Sequence, residues 1–318
     1  MTRNAAWVTL LTKSEYLPGA LVVDQCLKSV GSKYPLVVMA TSQLPQEARL
    51  ILSNRDIPIR DISRLKPQNE SSSMAELDSR FTRFADTWTK LQAFELVEYD
   101  RVVLIDSDMV VLRNMDELMD HDLPSDWIAA VHACACNPRR FPHYPDDWIP
   151  ENCAYSSVVH PTGIINPPVI TDSSPRPYKQ LNSGLVILTP SLELANDIHR
   201  FLMTSPLVST FAFPDQDLLA AYFEGRWKVL PYVYNALKTL RVIHKPLWRD
   251  EEVRCLHYIF HEKPWSTPPG SGGEYGEIDQ WWWDRYEKLG EEMSISDKEG
   301  WELVDSHVTR VTPSATFL

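Results

Sequence analysis

Apolar residues in the first two thirds of the chain alternate between short runs typical of β-strands and longer periodic runs typical of α-helices. The short runs are residues 7–12, 36–41, 101–105, 127–133, 185–189 and 253–260, and helical periodicity covers residues 18–30 and 45–55. The run at 101–105 is apolar on both faces, as a central parallel strand is. This pattern predicts an α/β fold around a mostly parallel, mixed central sheet.

A helix is predicted immediately before this central strand, over residues 85–98. One stripe of that helix holds mostly large side chains, namely Phe84, Trp88, Leu91 and Glu95. We expect the stripe to pack on the sheet and to leave Lys90 near its rim.

Two segments lack clear periodicity. Residues 137–177 are rich in Pro, Tyr, His and Asp and are predicted to form a long loop, which in a compact domain is usually functional or mobile. Residues 264–276 are rich in Pro, Gly and Ser and precede an aromatic amphipathic helix predicted at 278–289. We therefore expect one domain over residues 1–265, and a linker, a docked helix and a tail over 266–318.

Charge and composition narrow the classes of partner. The net charge of −12 argues against a nucleic-acid-binding protein and against binding to an anionic membrane surface. No run is apolar for long enough to span a membrane, and the first residues lack a secretory signal pattern. We expect a cytoplasmic protein that can form a homodimer.

The five cysteines are odd in number and scattered, which favours reduced thiols. Cys134 and Cys136 form a Cys-x-Cys pair, but no second Cys/His pair follows at the spacing of a zinc site. We therefore interpret these cysteines as small buried apolar residues.

Two aspartates, Asp106 and Asp108, directly follow the 101–105 strand. In extended backbone, residues i and i+2 point the same way. Ligands of open α/β sheets bind at the carboxyl ends of the strands. Both carboxylates can therefore approach one Mn²⁺ or Mg²⁺, which prefer oxygen ligands. A turn closed by Asp and Ser is the alternative interpretation.

His257 and Lys263 lie in the last strand-like run and in the loop that follows it. A single His on an apolar strand is usually a core residue. Here Lys263, held beside a rigid Pro-Trp pair, brings an ammonium group near the imidazole. The imidazole can bind a metal, and the ammonium can meet a phosphate.

Two further motifs carry polar groups suited to a sugar. Asn182 and Ser183 offer hydrogen bonds to hydroxyls, and Gly184 permits close approach of the backbone just before the 185–189 strand. Asp215 and Gln216 open a helix and present a carboxylate and a carboxamide. The alternatives are an ordinary turn for the first motif and helix capping by Asp215 for the second.

In this order, the motifs resemble glycosyltransferase family 8, which includes glycogenin and galactinol synthase. The resemblance covers residues 7–265, through the segments AWVTLLTKSEY, TKLQAFELVEYDRVVLIDSD, LNSG, FPDQD, YVYNALKTL and H-x5-KPW. The Trp-rich helix is similar to the C-terminal part of galactinol synthase. The resemblance implies a GT-A fold, a UDP-sugar donor, Mn²⁺ (or Mg²⁺) and retention of anomeric configuration.

The resemblance also implies a role for each matching residue. The implied metal ligands are Asp106, Asp108 and His257. The implied donor contacts are Leu10, Thr12, Tyr16, Arg83 (or Arg80), Lys90, Ser107, Asn182, Ser183 and Gly184. The implied catalytic residues are Asp215, Gln216 and Lys263, with Lys263 on the diphosphate. The chain departs from glycogenin-like sequences at Lys13, Ala212 and Phe260.

We therefore expect metal-dependent transfer of a hexose, with retention, from UDP-glucose or UDP-galactose to a small hydroxylated acceptor such as myo-inositol. Same-face attack by the acceptor is favoured, and a covalent intermediate on Asp215 is the alternative. A glycogenin-like reaction on protein or glucan is a second hypothesis, and an inactive UDP-sugar-binding scaffold is a third. The 137–177 loop is expected to shape the acceptor pocket with Arg139, Arg140, His143, Tyr144 and His160.

Overall fold

A computed structural model describes residues 3–67 and 86–310. Ten strands lie within these ranges: β1 (Ala5–Leu11), β2 (Leu36–Ala40), β3 (Ile59–Asp61), β4 (Arg101–Ile105), β5 (Met109–Val111), β6 (Ile128–His132), β7 (Leu181–Leu188), β8 (Trp227–Val229), β9 (Ala236–Leu237) and β10 (Cys255–His257). The predicted contacts at Arg80 and Arg83, and the stripe residue Phe84, lie outside the described residues.

Seven strands form one sheet in the order β3-β2-β1-β4-β7-β6-β8. Four of its six pairings are parallel, and the two made by β7 are antiparallel. The predicted mostly parallel, mixed sheet is therefore confirmed. Because β7 runs against β4, the beginning of β7 lies at the edge where β1 and β4 end.

Both faces of this sheet are buried. In β4, Val103 and Ile105 pack into one apolar core, and Val102 and Leu104 pack into the other. A parallel strand with apolar residues on both faces belongs in the middle of an α/β sandwich. This arrangement agrees with the predicted α/β class.

The described helices cover both faces. They are α1 (Leu17–Ser29), α2 (Gln46–Asn54), α3 (Thr162–Ile165), α4 (Leu192–Thr204), α5 (Pro214–Tyr222), α6 (Leu240–Ile243), α7 (Gly276–Ser296) and α8 (Lys298–Asp305). Within the residues described, no helix is both long and apolar enough to cross a membrane.

The aromatic helix α7 packs on α1 and buries Trp282, Trp283 and Tyr286. Trp282 stacks on Tyr286 with their ring centroids 4.6 Å apart. It also lies 5.4 Å from the ring of Trp265, in the loop just after Lys263. The aromatic helix therefore supports the loop that carries this lysine.

Three local predictions were wrong. The segment before β4 is a 3-10 helix, Thr87–Glu95, rather than an α-helix. The LNSG motif lies inside β7 and not just before the strand, so the alternative of an ordinary turn is wrong as well. Only Cys255–His257 of the run 253–260 is a strand, and it joins a second, three-stranded sheet in the order β5-β10-β9.

The 137–177 segment is mostly irregular, as predicted, but it is not a solvated loop throughout. Its buried side chains include Trp148, Cys153 and Tyr155. The segment therefore forms part of the body of the protein.

Candidate active site

One cavity opens at the edge where β1 and β4 end and β7 begins. It collects every described residue for which a role in metal binding, donor binding or catalysis was predicted, namely Leu10, Thr12, Tyr16, Lys90, Asp106, Ser107, Asp108, Asn182, Ser183, Gly184, Asp215, Gln216, His257 and Lys263. Residues as distant in the chain as Leu10 and Lys263 thus meet at the carboxyl-end edge, where an α/β sheet binds its ligands.

Asp106, Asp108 and His257 form a group whose ligand atoms all lie within 4.8 Å of one another. Nε2 of His257 lies 3.3 Å from Oδ1 of Asp108 and 4.0 Å from Oδ2 of Asp106. His257 reaches this position because β10 pairs with β5, the strand that immediately follows the two aspartates. The two carboxylates and the imidazole therefore face a common point.

Each carboxylate uses its other oxygen for a lysine. Nζ of Lys90 lies 2.7 Å from Oδ1 of Asp106, and Nζ of Lys263 bonds to Oδ2 of Asp108. Lys263 also donates to the Tyr258 carbonyl at 2.7 Å, which fixes its position. One oxygen of each aspartate is thus left directed towards His257.

The two aspartates differ in their electrostatic surroundings. Burial raises the pKa of Asp106 above its usual value, and the charge of Lys90 offsets only part of that effect. Burial also favours the protonated form of Asp108, but Lys263 and His257 outweigh it and hold the pKa of this carboxyl well below its usual range. Asp108 is therefore firmly ionised.

Lys90 connects the two aspartates to the residues of α5. Its Nζ lies 3.3 Å from Oδ2 of Asp215 as well as beside Asp106. Burial alone would lower the pKa of Lys90, yet the carboxylates of Asp106 and Asp215 raise it above its usual value. Lys90 is therefore an ammonium held between two carboxylates.

Asp215 does not cap helix α5. Asp217 instead accepts hydrogen bonds from the backbone N–H groups of Ala212 and Phe213, both at 2.8 Å. The side chain of Asp215 is therefore available to the cavity. The capping interpretation suits Asp217, two residues further on.

A chain of amides orients His257. Nδ1 of His257 bonds to Oδ1 of Asn235 at 2.9 Å. Asn235 donates to Oδ1 of Asn182 at 2.8 Å, and Asn182 donates to Oε1 of Gln216 at 3.3 Å. Because Nδ1 carries the proton in this bond, the lone pair of Nε2 faces the aspartates, as a metal ligand requires. Asn235 is fully buried, and no role was predicted for it although it lies in the YVYNALKTL segment.

Gly184 makes room for the imidazole. A Cβ built on Gly184 would overlap the ring of His257 and would come within 2.9 Å of the methyl group of Met109. The backbone carbonyl of Gly184 also accepts the N–H of Asp106 at 2.8 Å. The close backbone approach predicted for this glycine is therefore present, and its neighbour is His257.

Asp86 is a second buried residue for which no role was predicted. It accepts a hydrogen bond from Thr12 at 3.3 Å and lies 2.6 Å from the guanidinium of Arg64. Lys13, one of the departures from glycogenin-like sequences, lies 4.0 Å from the same carboxylate. Asp86 thus organises the loop after β1.

Aromatic side chains line the remaining wall. They are Tyr144, Trp148, Phe213 and Phe260. Trp148 stacks on Phe213 with ring centroids 5.0 Å apart. Of the five residues predicted to shape an acceptor pocket, only Tyr144 lines the cavity; Arg139 pairs with Glu262, and Arg140, His143 and His160 are not among the lining residues.

Phe260 adopts a left-handed backbone conformation, with φ at 75°. This conformation strains a residue with a side chain and suits glycine. The loop between His257 and Lys263 therefore keeps the shape of a glycine turn although a Phe occupies it.

The donor set fits a hard divalent cation. Two carboxylate oxygens and one imidazole nitrogen converge, and the remaining cavity leaves space for oxygens of a substrate, as Mg²⁺ and Mn²⁺ prefer. The two lysines beside the site would meet an anionic ligand. The arrangement can therefore bind a cation together with a diphosphate.

A family model described as Glycosyl transferase family 8 matches residues 7–268. Galactinol synthase 1 of Arabidopsis thaliana is 29% identical over 97% of this chain and 85% of its own length. Galactinol synthase 2 of Solanum lycopersicum is 28% identical over 89% of this chain and 80% of its own length.

Solved glycosyltransferases share the fold. The galactosyltransferase LgtC, in a complex with donor and acceptor sugar analogues, superposes with a TM-score of 0.57 at 17% identity, over 92% of this chain and 99% of its own. The bifunctional glycosyltransferase WbbM superposes with a TM-score of 0.61 at 16% identity, over 93% of this chain and 51% of its own. These likenesses confirm the GT-A fold.

Proposed function

This chain belongs to glycosyltransferase family 8, and from that premise we propose that it transfers a hexose from UDP-galactose or UDP-glucose to a small polyol, with retention of configuration. The observation that carries this proposal is the convergence of Asp106, Asp108 and His257 beside Lys263 in one cavity. A cation and a nucleoside diphosphate need this combination of oxygen ligands and a positive side chain.

The donor would lie along the edge formed by β1, β4 and β7. Leu10, Thr12 and Tyr16 line the cavity after β1 and would hold the uridine. Asp86 positions this end through its hydrogen bond from Thr12. Lys90 and Asn182 would contact the hexose further along the edge.

Asp106, Asp108 and His257 would hold Mn²⁺ or Mg²⁺, which when bound supplies Lewis-acid stabilisation of the departing UDP, worth several kcal/mol. Lys263 adds positive charge where negative charge develops on the diphosphate. Asn235 holds Nδ1 of His257 and keeps Nε2 directed at the aspartates.

Asp215 and Gln216 would lie at the reacting carbon. Lys90 pairs with Asp215 at 3.3 Å, and this pairing reduces the nucleophilicity of the carboxylate. We therefore favour same-face attack by the acceptor hydroxyl, with its proton passing to the leaving phosphate oxygen. A glycosyl adduct trapped on Asp215 would instead establish the double displacement.

The galactinol synthases among the relatives favour a polyol acceptor such as myo-inositol. Trp148 and Phe213 give the cavity a flat apolar wall on which a sugar or polyol ring can rest. None of the five cysteines forms a disulfide, which suits the cytoplasmic location that we predict.

The test is a donor-by-acceptor screen of UDP release in the presence of Mn²⁺, with UDP-galactose or UDP-glucose, and with or without myo-inositol. We expect turnover with one donor to depend on myo-inositol and to yield a hexosyl polyol of retained configuration. Hexoses found on the protein itself by intact mass would favour the glycogenin-like reaction. UDP release no faster than background with every acceptor would leave a binding scaffold.

A further inference from the structure

A second cluster of potential metal ligands lies next to the candidate active site. It consists of Cys134, Cys136, Cys153 and His244, and their ligand atoms all lie within 4.8 Å of one another. We infer that these four residues, here termed the Cys3His cluster, bind a structural Zn²⁺. The interpretation of the cysteines as small buried apolar residues does not explain this convergence, because the fold brings a histidine and a third cysteine to the Cys-x-Cys pair.

Three elements supply the ligands. Cys134 and Cys136 follow β6, Cys153 follows the 3-10 helix Pro150–Asn152, and His244 follows α6. The 3-10 helix lies within the 137–177 segment, and Cys153 thereby attaches that segment to the body of the protein. Each ligand comes from the irregular backbone just past a regular element, where side-chain directions can be adjusted to one centre.

The distances within the Cys3His cluster are those of a tetrahedral site. Nε2 of His244 lies 3.5 Å, 3.3 Å and 3.7 Å from the sulfurs of Cys134, Cys136 and Cys153. The sulfurs of Cys134 and Cys153 are 3.9 Å apart. Zinc bonds of about 2.3 Å to sulfur and about 2.0 Å to nitrogen in a tetrahedron place two sulfurs about 3.8 Å apart and a sulfur and a nitrogen about 3.5 Å apart. The observed edges match both values.

Hydrogen bonding alone does not account for this geometry. One imidazole nitrogen makes one good hydrogen bond, either as a donor or as an acceptor, yet Nε2 of His244 has three sulfurs at nearly equal distance. Thiols are also weak partners. A shared centre explains why four buried or half-buried groups converge.

A disulfide does not account for it either. The Cys134 and Cys153 sulfurs, 3.9 Å apart, lie at nearly twice the bond length of about 2.05 Å. All five cysteines lie in the described ranges, and none of them forms a disulfide. A disulfide between any two would also leave the third sulfur and the imidazole of His244 without a function.

The ligand set selects the metal. Three thiolates and an imidazole in a tetrahedron favour Zn²⁺ over the oxygen-preferring Mn²⁺ and Mg²⁺. Four protein ligands close the coordination sphere, which is typical of a structural zinc and not of a catalytic one. On binding, the three thiols release their protons and the imidazole binds through its neutral nitrogen.

Neighbouring residues support the ligands. The ring of Tyr155 meets the His244 ring edge to face, with centroids 5.8 Å apart, and its hydroxyl donates to the His132 carbonyl at 2.9 Å. Cys134 also lines the candidate active-site cavity, together with Tyr144 and Trp148 of the 137–177 segment. A zinc here would therefore fix the aromatic wall of the cavity.

The first test is the metal content of the full chain, purified without chelators, dialysed against metal-free buffer and analysed by mass spectrometry of the elements. We expect one zinc per chain. Release of that zinc by an organomercurial, followed with a chromogenic zinc indicator, should track the modification of three thiols. A chain that contains no zinc and does not take it up when reduced would overturn the inference, and so would a native disulfide among these cysteines.

Variants identify the ligands. Cys136→Ser and Cys153→Ser should lower the zinc content from one per chain to background, whereas Cys26→Ser, at a buried cysteine in α1, should leave it unchanged. Asp106→Asn should also retain the zinc, because its carboxylate belongs to the other cluster. If Asp106→Asn lost the zinc and Cys153→Ser retained it, the zinc would belong to the group of Asp106, Asp108 and His257. That outcome would refute the proposal.

A spectroscopic measurement covers the case in which the cysteine variants do not fold. The wild-type chain with Co²⁺ in place of Zn²⁺ should show the intense visible bands of tetrahedral cobalt and the thiolate-to-cobalt charge-transfer absorption. Weak bands typical of six oxygen and nitrogen ligands would contradict a Cys3His site. Neither readout depends on transferase activity, so the inference stands or falls independently of the proposed function.

Discussion

The Asp106–Asp108–His257 group and the Cys3His cluster are both converging sets of potential metal ligands, but their ligand atoms differ in chemistry. The first offers two carboxylates and an imidazole, faces the cavity and leaves coordination positions for a substrate. The second offers three thiols and an imidazole and supplies four ligands from the protein alone. Hard, open sites exchange their cation and act on substrates, whereas soft, closed sites retain the metal and hold the fold.

The two groups are linked by one stretch of chain. Asn235 orients His257 in the first group, and His244 belongs to the second. Between them lie β9, Lys238 and α6. We therefore predict that substitutions in the Asp106–Asp108–His257 group affect catalysis and leave the zinc bound to the Cys3His cluster.

Removal of the exchangeable cation should have the largest effect. Brief treatment with EDTA should abolish transferase activity, and Mn²⁺ should restore it, because the open group holds its cation only through three protein ligands. The zinc content should stay the same in both states. Loss of zinc in step with activity would show that the two groups do not differ as proposed.

Gly184→Ala should lower kcat/KM about 100-fold, which corresponds to about 2.7 kcal/mol. The added Cβ would overlap the imidazole of His257 and displace a ligand. Initial rates at saturating Mn²⁺ measure the effect. Gly276→Ala is the matched control, since a Cβ there meets nothing within 4 Å. A Gly184→Ala enzyme with wild-type rates would mean that His257 does not need its present position.

Asn235→Ala should weaken the apparent affinity for Mn²⁺ by about 10- to 100-fold, because it removes the acceptor that holds Nδ1 of His257. The dependence of the rate on Mn²⁺ concentration gives this value. Asn235→Asp keeps an oxygen for Nδ1 and should recover part of the affinity. Equal affinities for Mn²⁺ in the wild-type, Asn235→Ala and Asn235→Asp proteins would show that Asn235 does not support the metal site.

Lys238 should give the smallest effect, on the pH dependence of stability. Burial lowers its pKa to about 8; the charged neighbours that act on it are Asp279, Lys263, Glu262 and Arg139. Between about pH 8 and its usual pKa of about 10.4, the unfolded chain holds a proton that the folded chain lacks. The contribution of Lys238 therefore increases the free energy of unfolding as pH rises, by roughly 1 kcal/mol per pH unit.

Lys238→Met should remove this slope. Urea unfolding of both proteins at pH 8 and pH 10 measures it, and the difference between the two proteins isolates Lys238 from the tyrosines and cysteines that titrate in the same range. Parallel pH profiles for the two proteins would show that the Lys238 ammonium remains charged in the fold.

Much of the candidate active site was predictable because its information is local. The apolar run at 101–105 specifies a central strand, and the next residues, Asp106 and Asp108, must then lie at its carboxyl end on one side of the backbone. The distant motifs around Asn182, Asp215 and His257 could be assigned to the same edge only through the resemblance to the family. Their roles in binding and catalysis stay predictions.

The sequence by itself determined strand-like runs that overlap six of the ten described strands, and the aspartates that follow β4, because backbone periodicity and side-chain spacing are set within a few residues. It did not predict β3, β5, β8 and β9, which are each only two or three residues long. Only the tertiary structure decided which distant groups meet. His244 lies 110 residues from Cys134, Asn235 supports His257 across 22 residues, and Asp217 rather than Asp215 bonds the backbone before α5. Such contacts depend on how packed elements orient their ends, and no local pattern encodes that.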